Sequence, residues 1–197
     1  MAAELIPLAS AADHPDLLKV AVIRDPVRRL VGFYGRFVVP GDRDWCHVDQ
    51  GKLHSLHGCS FREMIDAIRA RVAAGDRLQH HLVPQTDDIP DGMVFDEVIV
   101  VERFEHDLER VRRRLGQPPL ATRRAHRNPY GVAPAEPAAD RPAEWFATHG
   151  LPEPHCFVDD AIVETICDIY ADDVAWYLAQ PGTALLTAGG GSGPSSS

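Results

Sequence analysis

Arg24 ends the apolar run Val20-Ala21-Val22-Ile23, and Pro26 follows two residues later. The run reads as a short buried strand, and proline fits the first turn of a helix. That junction puts a guanidinium at the C-terminal edge of a strand, where open α/β sheets bind ligands. Backbone N–H groups at a helix start, joined by a guanidinium, make a seat for phosphate or sulfate. The competing reading is a plain ion pair between Arg24 and Asp25 or another carboxylate. Arg28 and Arg29 fit a solvated face of the same helix, with packing of one of them against the sheet as the alternative.

A second group is Cys46-His47, His54, His57 and Cys59, five potential metal ligands within fourteen residues. Zinc accepts a Cys2His2 set. The spacing matches no zinc module, so no metal is assigned. An ordinary polar loop and a metal-stabilised loop both stay open. With Cys156 and Cys167 the chain has four cysteines, no CxxC pair and no disulfide density. Reduced thiols follow from that pattern.

The elements that position these residues can be read from periodicity. A strand is expected over 18–23 and a helix over 26–38, broken by Pro40-Gly41. Ser60 and Glu63 form a capping box for a helix whose apolar face is Phe61, Met64, Ile65, Ile68 and Val72, ending at Gly75. A second strand is expected over 95–101 and a helix over 106–115. The strand-then-helix order occurs twice, which favours an α/β domain with a parallel sheet flanked by helices. Residues 117–157 are proline-rich with little periodicity. Residues 159–178 read as one long amphipathic helix, and Trp176 on it as core. The organisation expected is a polar lead over 1–17, a domain over 18–180 and a low-complexity, disordered tail over 181–197.

The 197 residues suit one domain, and 45% apolar with 25% charged residues is ordinary globular composition. The net charge of −9 argues against a nucleic-acid partner. Of 20 basic residues 18 are arginine, the better fork for phosphate and sulfate; a GC-rich coding sequence gives the same bias. No stretch approaches the ~20 apolar residues of a membrane span. The first fifteen residues lack a basic n-region, so a cytoplasmic protein is expected.

Arg24-Asp25-Pro26-x-x-Arg29-Leu30 resembles the 3′-phosphate-binding segment of sulfotransferases that use 3′-phosphoadenylyl sulfate (PAPS), in the branch of carbohydrate sulfotransferases and their bacterial relatives. Other motifs follow in that family's order. They are Ser60-Phe61-Arg62-Glu63-Met64, His81-Leu82-Val83-Pro84-Gln85, Phe95-Asp96-Glu97-Val98-Ile99 with Arg103-Phe104-Glu105 and Asp107-Leu108, His126-Arg127-Asn128, and Tyr170-Ala171-Asp172-Asp173. The resemblance spans roughly 18–178. It implies a P-loop-like α/β fold, PAPS as co-substrate, and sulfuryl transfer to a hydroxyl of a carbohydrate or small molecule. It implies that Arg24 contacts the donor's 3′-phosphate, that Pro26 sets the helix orienting it, and that Arg127 closes over it.

The family's second 3′-phosphate contact is a serine eight residues past the arginine; here that position is Gly32. Family members also carry an early strand and a Gly/Lys/Ser/Thr-rich loop for the 5′-phosphosulfate. Residues 1–17 contain no glycine and no lysine, so a domain truncated at its N-terminus is expected. His81 is then the best general base for the acceptor proton, against a merely structural hydrogen bond. Glu102 and Glu105 fit helix-entry carboxylates. The 46–59 loop would face the acceptor, and Trp45 or Trp145 could stack on a sugar. A catalytically degenerate relative, serving as a binding or interaction module, is the alternative.

Overall fold

In the computed structural model, residues 16–41, 56–118 and 137–187 are described. The two Val/Ile runs pair. β1 (Val20–Ile23) and β2 (Glu97–Val100) lie parallel, with Val20 opposite Glu97 and Ile23 opposite Val100. Both are shorter than the apolar runs suggest. At the start, the Lys19 N–H goes to the Asp96 carboxylate rather than into the ladder (2.9 Å). At the end, β2 passes directly into a 3₁₀ turn, Val101–Arg103.

α1 (Pro26–Phe33) opens on Pro26 at its first turn, as its fixed φ favours, and Asp25 caps it. The helix widens into a π turn, Tyr34–Val38, closed by Val39 N–H donating to the Tyr34 carbonyl at 3.0 Å. Gly35 sits in that turn against Leu151; a Cβ there would lie 2.7 Å from the leucine Cδ1. α2 (Phe61–Ala73) starts with the Ser60–Glu63 capping box that the sequence announces. α3 (Phe104–Arg114) begins two residues before the expected 106. α4 (Ala143–His149) lies inside the stretch read as aperiodic.

The helix expected over 159–178 is two helices, α5 (Asp160–Ile169) and α6 (Ala171–Leu178). The break is at Tyr170, whose φ of −118° and ψ of 40° leave the helical region. At the break the buried Tyr170 hydroxyl donates to the Leu82 carbonyl (2.7 Å), a tertiary bond that helical periodicity does not reveal.

The main core lies on one side of α1, where Tyr34, Phe61, Phe146 and Phe157 meet largely edge-on at centroid distances of 5.1–6.1 Å. Burying each such ring contributes roughly 1.5–3 kcal/mol. Ile23, Val100 and Tyr177 form a second, smaller cluster on the sheet.

The sheet's two outer edges are treated differently. Along β2, side chains of α3 replace a neighbouring strand. The Val100 N–H donates to Asp107 Oδ2 (2.9 Å), and Arg110 and Arg114 donate to the Val98 and Asp96 carbonyls (2.8 and 3.0 Å). Along β1, the Gln85 carboxamide mimics a strand at one residue: its Oε1 accepts from Arg24 N–H and its Nε2 donates to the Arg24 carbonyl, both at 3.0 Å. Val22 in the same strand is 55% exposed. Residues 181–187, expected to open a disordered tail, are tied to the domain at one point: Leu186 is buried, and its N–H donates to Asp25 Oδ2 at 2.7 Å. Among the described residues, no helix is long and apolar enough to cross a membrane.

Candidate functional site

Arg24 follows the end of β1, and its guanidinium reaches Gly32 near the end of α1. Its Nη1 lies 2.9 Å from where a Cβ on Gly32 would stand, and its Nη2 3.4 Å. The two residues that the sequence pairs at a spacing of eight are therefore neighbours in space. Arg24, Arg29, Gly32, Phe33, Arg36 and His81, with Phe37, line one cavity of about 460 Å³.

The ion pair weighed against ligand binding is present but loose. Glu102 Oε1 is 3.8 Å from Arg24 Nε, and Arg24 makes no side-chain hydrogen bond among the described residues. Glu102 is also engaged elsewhere, accepting from the Asp25 N–H at 3.4 Å. Burial pushes the Glu102 carboxyl up; that hydrogen bond and the Arg24 charge oppose the rise. Asp25 does not pair with Arg24. It caps α1, accepting from Val27 and Arg28 N–H at 2.8 and 3.3 Å, and stands 3.8 Å from Arg28 Nε. Burial raises its pKa too, against the pull of the Leu186, Arg28 and Val27 N–H groups.

This corrects one expectation. The start of α1 offers no open N–H seat, because Pro26 has no N–H and Asp25 Oδ1 takes the next two. Pro26 is buried and fixes the helix start; the positive groups left facing the cavity are guanidinium groups.

Arg29 departs from the solvated face assigned to it. Its side chain is 16% exposed and runs inward. Nη1 donates to the Val83 carbonyl (2.8 Å), Nη2 is 3.4 Å from Asp173 Oδ2, and the guanidinium lies 5.0 Å from the centre of the Tyr170 ring. The Nε and Nη2 atoms are nevertheless buried without a hydrogen-bond partner. Asp173, fully buried, also accepts from Gln85 and Thr86 backbone N–H at 2.8 and 2.9 Å. Three separated motifs, 24–29, 81–85 and 170–173, are thus tied together through Arg29, Gln85 and Asp173.

His81 reaches the same cavity and stacks on Phe37, with ring centroids 5.1 Å apart. Burial, reinforced by the neighbouring His80, pushes its pKa below the ordinary histidine value. That shift favours the neutral ring at pH 7. His80 and His81 rings are 4.0 Å apart. On the His80 side lies a second cavity of about 510 Å³, with an apolar floor of Val72, Leu78 and Ile169 and with Asp87 and Asp88 in its lining.

A family model described as the sulfotransferase family matches residues 7–177. The chain belongs to the sulfotransferase family. No curated protein and no solved structure matches it significantly. The mixed α/β architecture, with a small parallel sheet between helices, is consistent with a sulfotransferase domain.

Several expectations fall outside the described residues: Arg127 with His126, Trp45, and Cys46, His47 and His54 of the Cys/His cluster. Among the described residues no group of three or more His, Cys, Asp or Glu is placed to hold a metal. Cys156 and Cys167 are free thiols. Trp145 stacks on His149 (4.3 Å) and lies under Arg141, while Trp176 packs against the sheet cluster. Sequence reading missed Arg36, which is four residues past Gly32 and so was findable by helical spacing, and the inward course of Arg29, which no local signal announces.

Proposed function

We propose that this sulfotransferase binds PAPS through Arg24 and transfers the sulfuryl group to a hydroxyl of a carbohydrate or small-molecule acceptor. The observation that carries the reading is the state of the guanidinium groups. Arg24 and Arg29 line one cavity, and each has a buried nitrogen that makes no hydrogen bond and has only a carboxylate at ion-pair distance, Glu102 at 3.8 Å and Asp173 at 3.4 Å. A buried charged donor left unsatisfied costs more than an ordinary missing hydrogen bond, and an anion relieves that cost.

In this reading Arg24 holds the 3′-phosphate and Pro26 fixes the start of the helix against which it lies. Gly32 leaves the space that the Arg24 side chain occupies. Arg127 adds a contact from the late loop. Bound PAPS supplies a sulfuryl group already activated by its bond to phosphate. His81 takes the proton of the attacking hydroxyl onto a ring nitrogen, as a neutral imidazole at pH 7 can.

Calorimetry with 3′,5′-adenosine bisphosphate tests the donor site. Arg24→Ala is expected to bind at least tenfold more weakly than wild type, as the loss of a charge-assisted pair implies. Equal affinity removes Arg24 from the site. Binding without turnover of PAPS across hydroxyl acceptors favours the second reading, a relative that keeps the nucleotide site and has lost the reaction. The closure of the helix start by Asp25 is the feature that favours it.

A further inference from the structure

The resemblance implies a serine hydroxyl where this chain has Gly32, and Arg36 stands one turn further along the same helix. We propose that Arg36 replaces that missing contact, so that the donor's 3′-phosphate is gripped between the Arg24 and Arg36 guanidinium groups. The inference rests on the donor reading above and adds a residue to it.

Three observations support it. First, Arg36 lines the same cavity as Arg24, Arg29 and Gly32. Second, Arg36 lies within the π turn over Tyr34–Val38. Bonds that skip five residues turn the chain less per residue than bonds that skip four, so residue 36 comes back over residue 32 instead of drifting past it. Gly35 lets this widened turn sit against Leu151 without a Cβ clash. π turns are frequent at functional sites for this reason: they re-aim a side chain within a helix.

Third, the charge of Arg36 is not consumed. It makes no ion pair or hydrogen bond among the described residues; its guanidinium lies 5.7 Å from the centre of the Phe37 ring. That ring in turn stacks on His81. Arg29, by contrast, is partly committed to the Val83 carbonyl and Asp173. Arg24 and Arg36 are thus the two cations with capacity for a dianion. A guanidinium offers a two-pronged donor fork, so Arg36 can supply a second contact that Gly32 cannot.

The test is calorimetry on wild type, Arg36→Ala and Arg36→Lys, with 3′,5′-adenosine bisphosphate and with adenosine 5′-monophosphate, which lacks the 3′-phosphate. Arg36→Ala is expected to weaken the bisphosphate about tenfold and leave the monophosphate unchanged. Arg36→Lys is expected to recover part of the loss, because it keeps charge without the fork. Arg36 is exposed, so unchanged thermal melting of the variants is expected and serves as the folding control. If Arg36→Ala binds the bisphosphate like wild type while Arg24→Ala does not, the Arg36 proposal is overturned and the donor reading stands. Equal weakening of both ligands also overturns it, since Arg36 then does not read the 3′-phosphate. If neither substitution matters, the donor reading itself fails.

Discussion

Asp173 holds Gln85 twice, accepting from its backbone N–H at 2.8 Å and from its carboxamide at 3.3 Å. The same carboxamide brackets the Arg24 backbone. The last helix therefore fixes the strand end that presents the candidate donor ligand. Thr86 adds two more donors to Asp173, and Arg29 a charge. Removing this fully buried acceptor strands all of them. Asp173→Ala should cost about 3–5 kcal/mol. Asp173→Asn keeps the volume and one acceptor and should cost less, about 1–3 kcal/mol. Urea unfolding checks both; a midpoint unchanged in Asp173→Ala would show that the contact holds nothing.

Residues whose partners are local in sequence were legible before any coordinates. The Ser60–Glu63 box and the Pro26 helix start need only three or four neighbouring residues, and both appear as read. The parallel pairing of two Val/Ile runs followed from the repeated strand-then-helix order. What escaped was decided by partners far along the chain. Tyr170 breaks a continuous amphipathic pattern where it bonds to Leu82, 88 residues away. Arg29 looks like a solvated helical arginine until Val83 and Asp173 are placed beside it. Asp25, one of the carboxylates weighed as an alternative partner for Arg24, is taken by Leu186 and the start of α1. In the site, Arg24 and Gly32 were singled out by motif and do meet. Arg36 belongs to no motif and was found only through the cavity.

Gly32→Ser should strengthen donor binding. The new Cβ would stand 2.9 Å from Arg24 Nη1, too close without adjustment, but the neighbour is the far end of a flexible side chain. A small swing of the guanidinium frees space for the hydroxyl to share the anion. A hydrogen bond to a charged group is worth about 1.5–3 kcal/mol, so affinity for 3′,5′-adenosine bisphosphate should rise at least about tenfold. Weaker binding would mean that the guanidinium must lie over Gly32 to work.

Asp107 couples the β2 edge to acid. Burial pushes its carboxyl up, but the Val100 N–H, Arg103, His106 and Arg110 together outweigh that and hold it well below the usual carboxylate range. A depressed folded value means that its stabilisation is complete above the unfolded value of about 3.9 and is lost as pH falls towards the folded one. Native stability measured by urea should therefore decline from about pH 4 downwards. Asp107→Asn should lower stability at pH 7 and flatten that decline. A wild-type slope retained in Asp107→Asn would assign the acid sensitivity to other carboxylates.

His81 should set the acid limb of activity. Its pKa is lowered by burial and by His80, so the ring is neutral through pH 7 and protonates only below the ordinary value of about 6.5. A protonated imidazole cannot accept the acceptor's proton. With PAPS and a hydroxyl acceptor, kcat/KM should be flat near neutrality and fall with acid below about pH 6.5. His81→Gln cannot take up the proton and should lower kcat by about 10²-fold, abolish the acid limb and leave affinity for 3′,5′-adenosine bisphosphate intact. Persistence of the acid limb in His81→Gln would move the proton acceptor elsewhere. His80→Gln separates the two imidazoles: it removes the neighbouring charge that helps to lower the His81 value, so the limb should shift towards neutral pH while the rate above it stays the same.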